Sequence, residues 1–263
     1  MSTMSYALTD SMTMLRRQIR HMGRYASLTL MVIGIPVVFL LLFVYVFGGT
    51  LGDGLGGITG GRAAYLAYVV PGVLMMAVAG SAQGTSLKVA MDMDEGIIDR
   101  FRTMAISRVS VLTGHVLASM IQILLAITVV LGIAAAIGYR TGAGVADWFG
   151  LLGVFLLISF AITWLTVAAG ITAKSPETAS NTPMPLMLLP FMGSGFVPTE
   201  SMPTAMQWFA EYQPFTPWIE VTRGLLDGTG AAGSDIALAV SWAGAIALFG
   251  YLVARAEFDR RGA

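Results

Sequence analysis

The sequence contains no cysteine and very little charge. Without thiols, the chain has no disulfide, no thiol nucleophile and no thiolate metal site. Only 11% of its 263 residues are charged and 56% are hydrophobic, whereas soluble proteins carry about 25% charged residues. A soluble core of this size cannot bury so much apolar surface, so we expect lipid to be its solvent. The formal net charge is zero, and it gives no indication of a nucleic-acid partner.

Catalytic and nucleotide-binding patterns are also missing. The chain has two histidines, His21 and His115, no HExxH motif and no paired carboxylates in an apolar stretch. Residues 80–86, GSAQGTS, resemble a phosphate-binding loop only superficially, because no lysine precedes Thr85. Small residues in such a run favour close helix packing in membranes. We therefore expect a protein that is not an enzyme and that binds no cofactor itself.

Six stretches without Asp, Glu, Lys or Arg are long enough to cross a bilayer, which takes about 20 residues. Each must be helical, because a lone strand in lipid would leave its backbone groups unpaired. The fifth stretch is interrupted by Pro183, Pro185 and Pro190. We predict an all-α integral membrane protein with one transmembrane domain over residues 1–263. The predicted spans are residues 26–47, 64–87, 111–137, 148–173, 178–197 and 236–254.

Lys and Arg are distributed asymmetrically around these spans. With both termini cytoplasmic, the inner segments hold twelve of these cations and the outer segments hold three, Arg62, Arg140 and Arg223. Cytoplasmic loops carry such an excess, so the count predicts six spans with the N- and C-termini inside. Residues 48–61 contain eight glycines, and we expect them to form a flexible outer loop.

The segment before the first span has the pattern of a helix lying in the membrane surface. Within residues 10–25, Met12, Leu15, Ile19 and Met22 form one apolar stripe, and arginines surround it. The arginines would contact anionic headgroups. A solvated basic tail is the alternative. The stripe leads directly into a span, which favours the interfacial helix.

The most informative segment is the charged stretch 91–108 between the second and third spans. On a helix, Ile97, Phe101 and Met104 share an apolar face, while acidic and basic residues lie beside one another on another face. Such a helix can lie against the membrane and present charges to a cytoplasmic partner. A solvated loop whose charges only fix the topology fits the residues equally well.

Residues 94–104 read DEGIIDRFRTM and are followed by Ser107 and Arg108. This string resembles the coupling segment of type-2 ABC exporter permeases, especially bacterial drug-export permeases similar to the daunorubicin-resistance membrane subunit. Ala105 stands where the family usually has proline, which removes an expected helix stop but keeps the charged pattern. Further resemblance lies in PFMGSGFVP at 190–198, MP at 202–203, QPFTP at 213–217 and EVTRG at 220–224.

The resemblance implies a permease subunit of an ATP-driven exporter in the bacterial cytoplasmic (inner) membrane. The substrate would be a hydrophobic or amphipathic compound, such as a drug, lipid or glycolipid, moved outward. The implied partners are two copies of an ABC ATPase, which carry the ATP and Mg, and a second permease copy in a homodimer or a close relative in a heterodimer. The residues assigned to ATPase coupling are Glu95, Gly96, Asp99, Arg100, Phe101 and Arg102.

Polar and aromatic residues inside the predicted spans are candidates for a substrate path or for helix packing, and the sequence does not separate these roles. The outer segment 199–234 is rich in aromatics and is expected to form short re-entrant helices. There, Glu200, Glu211 and Glu220 could line an exit or a solvated vestibule; for Glu200 and Glu211 we favour surface acids outside the bilayer. The candidate path or packing residues are Gln122, Ser159, Thr163, Asn181, Ser194 and Phe196.

Two other function classes are the alternatives to an exporter permease. A secondary transporter or channel that is not coupled to an ATPase usually shows buried charges near the bilayer midplane or related halves, and the sequence makes neither evident. A membrane anchor or assembly factor would not need a coupling helix. The exporter permease is therefore the function that the sequence predicts.

Overall fold

The computed structural model describes residues 26–56, 61–96 and 108–260. The predicted interfacial helix 10–25 and residues 97–107 of the coupling segment lie outside these ranges. Within them the chain is helical and forms no strand. The helices are α1 Ala26–Leu42, which continues through a π-helical turn Phe43–Phe47 into α2 Gly48–Gly56, then α3 Arg62–Asp94, α4 Arg108–Ala136, α5 Val145–Thr172, α6 Pro176–Asn181, α7 Met184–Leu188, α8 Thr204–Tyr212, α9 Phe215–Asp227 and α10 Gly233–Arg260.

Five helical stretches in the described part of the chain are long and apolar enough to cross a membrane. They coincide with five of the six predicted spans. α3 and α10 extend beyond the predicted ends into the charged residues that flank the apolar stretches. The five stretches are Leu30–Asp53, Arg62–Asp94, Thr113–Ala136, Val145–Thr172 and Gly233–Glu257.

The glycine-rich stretch after the first span differs from the predicted loop. Gly48–Gly56 forms α2 and prolongs the span. A glycine inside a helix costs about 0.5–1 kcal/mol relative to alanine, but an unpaired backbone group in lipid costs several kcal/mol. The helical hydrogen bonds therefore outweigh the glycine penalty, and the loop prediction was wrong for residues 48–56.

The fifth predicted span, residues 178–197, is not one long helix. It consists of α6, α7 and a series of turns that reaches Phe196. Pro183 separates α6 from α7, and Pro190 falls in the turns. Proline removes a backbone donor and clashes with the preceding turn of a helix, so the interruptions occur where the sequence predicted them.

This broken segment runs antiparallel to α3. At one end, the Gln83 side-chain amide donates a hydrogen bond to the Ser180 hydroxyl at 3.0 Å. At the other end, the Tyr65 hydroxyl donates to the Phe196 carbonyl at 3.3 Å. The two contacts are separated along α3 by a rise of about 27 Å at 1.5 Å per residue, so the segment accompanies α3 for most of its length.

α3 is the central helix of the bundle. In its most apolar stretch 72% of the residues are buried, against 17% in Leu30–Asp53 and in Gly233–Glu257. Its neighbours approach at backbone distance. A Cβ atom on Gly72 would lie 2.7 Å from the Gly195 Cα, and one on Gly170 of α5 would lie 2.6 Å from the Ser86 carbonyl oxygen. Small residues at such crossings are the usual basis of close helix packing in membranes.

We predict that Gly170→Ala destabilises the protein. The added methyl group would lie 2.6 Å from the Ser86 oxygen and 2.8 Å from the Val89 Cβ, and overpacking of this kind costs about 1–3 kcal/mol. Gly153→Ala in the same helix is the matched control, because nothing lies within 4 Å of its added Cβ. The midpoint of thermal unfolding in detergent, followed by circular dichroism, should fall only for Gly170→Ala. An equal midpoint in the two variants would contradict the packing described here.

Candidate functional site

An apolar cavity lies between α1, α3, α4 and the α6–α7 segment, beside the half of α3 that leads to Asp94. Met31 of α1, Met76 of α3 and Met187 of α7 form part of its wall. The cavity has a volume of about 150 Å³ and is partly open to the surroundings. Space of this size takes up an apolar group about as large as a benzene ring, and a larger ligand would extend through the open side.

Two hydrogen bonds join the helices around the cavity. The Lys88 ammonium group donates to the Gln122 side-chain oxygen at 3.0 Å, and Gln83 donates to Ser180 at 3.0 Å. Among the described residues, no carboxylate lines the cavity. Lys88 lies six residues before Asp94, which places it about 9 Å along the helix from that end.

Gln122 is thus the one predicted path residue that lines this cavity, and Lys88 was missed. The sequence interpretation treated Lys88 as a cation that marks the end of a span. A signal was available, however, because Gly80, Gly84 and Lys88 recur every four residues and therefore share one face of a helix. This periodicity places Lys88 on the same helix face as the two glycines, but it does not distinguish a packed face from one that borders a cavity.

The other five predicted path residues do not share this site. Ser159 and Thr163 are buried in α5, where the Thr163 hydroxyl donates to the Ser159 carbonyl at 2.6 Å. Asn181 is exposed at the end of α6. Ser194 and Phe196 are buried beside the opposite half of α3.

Aromatic rings and a backbone contact lie beyond the cavity, toward the Arg62 end of α3. The Phe191 and Phe196 rings stack with centroids 4.6 Å apart, and the Phe43 ring lies 4.6 Å from Phe196. Phe43 begins the π-helical turn, a feature that occurs frequently at functional sites. Gly72 contacts Gly195 at the same level of α3. Together these groups separate the cavity from the Arg62 end of the bundle.

An open, polar pocket occupies the Arg62 end. It is lined by Tyr68 of α3, by Ser194 and by residues of α8, α9 and α10. All three glutamates of the predicted outer segment contribute to it, including the two that the sequence favoured as plain surface acids, together with one aspartate. They are Glu200, Glu211, Glu220 and Asp235. The structure therefore brings these acids together around one pocket.

Arg223 of α9 fixes this pocket to the bundle. It pairs with Glu220, as the i, i+3 spacing indicates. It also donates to the Ser194 carbonyl at 2.7 Å and to the Tyr68 carbonyl at 3.3 Å. Its guanidinium lies 4.2 Å from the centre of the Tyr68 ring, a cation–π arrangement. One side chain thus links α9, α3 and the turns that follow α7.

Asp227, at the C-terminal end of α9, interacts electrostatically with Tyr139 and Arg223. Burial, together with the nearby negative charge of Asp227, raises the pKa of Tyr139 to about 12. Burial likewise raises the pKa of Asp227, and the positive charge of Arg223 opposes this shift. The Thr141 hydroxyl donates to the Leu226 carbonyl at 2.5 Å. The α4–α5 connection is therefore tied to the end of α9.

The Asp94 end of α3 carries the first two predicted coupling residues. Glu95 is exposed and caps the helix, with its N–H donating to the Met91 carbonyl at 2.9 Å. Gly96 has a φ of 64°, a left-handed conformation that glycine adopts most readily and that ends helices. The other four predicted coupling residues lie outside the described residues. They are Asp99, Arg100, Phe101 and Arg102.

A buried contact joins α3 and α4 near this end. The His115 Nε2 of α4 lies 3.1 Å from the Asp92 Oδ2 of α3, and only 4% of the His115 side chain is exposed. This contact links the end of α3 to its neighbour.

Comparison with known proteins places these features in a family. Over 252 residues the chain is 29% identical to the daunorubicin resistance ABC transporter permease protein DrrB1 of Streptomyces coeruleorubidus, a match that covers 95% of this chain and 86% of that protein. Over 235 residues it is 25% identical to the probable doxorubicin resistance ABC transporter permease protein DrrC of Mycobacterium tuberculosis, covering 86% and 80% of the two chains.

A family-level match agrees with these relatives. Residues 9–226 match the sequence model of the ABC-2 type transporter family. The matched region includes the central helix, the cavity, the broken segment after α5 and the part of the pocket at the Arg62 end that precedes α10. Since it covers most of the sequence, the chain belongs to the ABC-2 type transporter family.

Proposed function

We propose that this chain is the permease subunit of an ATP-driven exporter and that an ABC ATPase drives it through the Asp94 end of α3. The observation that carries the proposal is the continuity of α3. One unbroken helix ends at the exposed Glu95, forms a wall of the cavity through Lys88 and Met76, and reaches the outer pocket at Tyr68. A displacement at Glu95 would therefore act on both compartments.

The energy must come from a mechanical contact, because the chain has no nucleotide-binding motif. A partner can drive a conformational change only if it binds two states of the permease with different affinity. The mixed charges of Glu95, Gly96, Asp99, Arg100, Phe101 and Arg102 would supply that contact. ATP and Mg would bind to the ATPase, and closure of the ATPase dimer would tilt or shift α3.

The proposed path for the substrate follows α3. A hydrophobic or amphipathic compound, such as a drug, lipid or glycolipid, would enter the cavity from the inner leaflet and leave through the pocket at the Arg62 end. The Gly72–Gly195 contact and the three phenylalanine rings close the path between Met76 and Tyr68. The drug-resistance permeases among the relatives support outward transport of such compounds.

The proposed assembly has two permease copies and two ATPase copies in the bacterial cytoplasmic membrane. The first and last long helices are the least buried in one protomer, and exposed apolar side chains such as Leu30, Val38, Leu248 and Phe249 lie on them. These surfaces are available to lipid and to a second permease copy. A homodimer is the simplest such arrangement, and a heterodimer with a close relative is the alternative.

We further propose that residues 178–197 make a sixth crossing, so that both termini are cytoplasmic. This segment accompanies α3 for about 27 Å, close to the hydrocarbon thickness of about 30 Å. Its irregular backbone lies against protein, which is the condition for such a backbone at membrane depth. The excess of Lys and Arg on the proposed cytoplasmic side fits this topology.

Single cysteines in this cysteine-free chain test the sixth crossing. Lys174 precedes the broken segment and Glu200 follows it, and both are exposed. In intact cells a membrane-impermeant maleimide should label Glu200→Cys, whereas Lys174→Cys should react only after the membrane is opened. Labelling of both cysteines from the same side would contradict the six-span topology.

The coupling contact is tested by the double substitution Glu95→Gln and Arg100→Gln. Loss of charge-assisted contacts with the ATPase should lower transport in proteoliposomes roughly tenfold or more. The complex should retain its ATP hydrolysis, and the permease should remain in the membrane. The measurements are substrate accumulation and phosphate release by the same reconstituted complex.

Glu177→Gln is the matched control, because Glu177 is an exposed acid at the same end of the bundle and outside the proposed contact. It should leave transport unchanged. Unchanged transport in the Glu95/Arg100 double variant would overturn the coupling assignment. Full transport by the permease without any ATPase would instead favour a secondary transporter or channel.

A further inference from the structure

We propose that the cavity beside α3 selects amphipathic molecules with an anionic headgroup, and that Lys88 is the counter-ion. The inference names the substrate class of the exporter and rests on that proposed function. It commits to one ligand chemistry, namely a phosphate or carboxylate group attached to an apolar body. Neutral and cationic amphiphiles of the same size would bind less tightly.

The positive charge in the cavity favours an anionic headgroup. The Lys88 ammonium group has three hydrogen-bond donors, and in the described structure it donates to Gln122. No carboxylate of the described residues lines the cavity. A charged group in apolar surroundings is costly unless it is paired and hydrogen-bonded. An anionic headgroup would supply the opposite charge and accept the remaining hydrogen bonds.

The polar and apolar parts of the cavity wall are separate, which favours an amphipathic ligand. Lys88, Gln122, Gln83 and Ser180 supply the polar atoms, while the three methionines and Ile35 supply apolar wall. Methionine side chains are flexible and polarizable, so they adapt to apolar groups of different shape. The cavity therefore has a fixed charged position and an adaptable apolar region, which matches a molecule with one headgroup and a variable tail.

The cavity is also accessible to a molecule in the adjoining leaflet. The cavity is bounded by α1, whose Met31 is 62% exposed. An amphiphile in the adjoining leaflet would reach Lys88 with its headgroup toward the near end of α3 and its tail toward Met76. A cationic amphiphile in the same position would place two like charges in an apolar space, where their repulsion is strong. The sign of the headgroup therefore decides which molecules stay bound.

The test uses the full-length permease in phosphatidylcholine nanodiscs with two photoreactive probes that have the same alkyl chain. One probe carries a phosphate headgroup and the other a trimethylammonium headgroup. Mass spectrometry locates the labelled residues. The phosphate probe should label the cavity wall roughly tenfold more than the ammonium probe, the effect of one charge-assisted hydrogen bond.

Three variants sharpen the test. Lys88→Gln should remove the difference between the probes, and Lys88→Arg should keep it. Lys174→Gln should also keep it, because Lys174 is the only other lysine of the chain and lies outside the cavity. If Lys88→Gln does not fold, the comparison of the two probes on the unaltered protein and on Lys88→Arg still decides.

Equal labelling by the two probes, or the same preference in a folded Lys88→Gln variant, would overturn the proposal. Adding phosphatidylglycerol to the discs identifies the source of the anion. Competition would assign the site to a bilayer lipid, whereas lack of competition would assign it to a separate amphiphile, and both results support the anionic headgroup. No ATPase or ATP is present, so this result is independent of the coupling experiments.

Discussion

The backbone-to-backbone packing of α3 against its neighbours is the constraint on which the rest of the structure depends. Lipid provides no hydrophobic force that holds helices together, so close van der Waals contact has to do it. At Gly72 and Gly170 the backbones approach so closely that even a methyl group would collide. α3 consequently cannot shift without displacing α5 and the broken segment. The helix that ends at Glu95 thus borders both the cavity and the pocket at the Arg62 end.

The same packing explains why a single lysine matters. Around Lys88 the walls are mostly apolar, and in such surroundings a charged group interacts more strongly with any partner than it does in water. Gln122 holds the ammonium group in one position without neutralising it. Because Gln122 is neutral, the positive charge of Lys88 stays available to a ligand, whereas a buried carboxylate partner would have neutralised it.

Much of the fold was predictable from the sequence, because the absence of charge over the length of a bilayer has one structural solution in lipid. The prolines likewise predicted where residues 178–197 are interrupted. The glycines of 48–56 led to a wrong loop prediction. The low helix propensity of glycine in water is outweighed by the pairing of backbone groups in an apolar environment. Lys88 was missed because α3 continues past it to Asp94, so a cation that looked like the end of a span lies inside the helix.

Most of the predicted path residues do not line the cavity, and the reason again lies in how the helices pack. Residue type shows that Thr163 and Gln122 are polar, but the rotation of each helix decides whether a side chain bonds its own backbone or faces a cavity. Thr163 donates to the carbonyl four residues earlier, at Ser159, a bond open to any helical threonine. Gln122 is too long for that bond and reaches Lys88 on another helix. Helix rotation is set by packing, which a single sequence does not reveal.

Prolines occur both in α3 and in the broken segment that faces it, near the closure of the proposed path. α3 is continuous but contains Pro71 next to Gly72, and proline inside a helix removes a backbone bond and permits a bend there. The facing segment is interrupted by its own prolines and contacts α3 through Gly195. The position at which α3 can bend therefore coincides with the closure between the cavity and the pocket at the Arg62 end. A force applied at Glu95 would move the half of α3 that holds Lys88, change the bend at this closure and so act on both compartments.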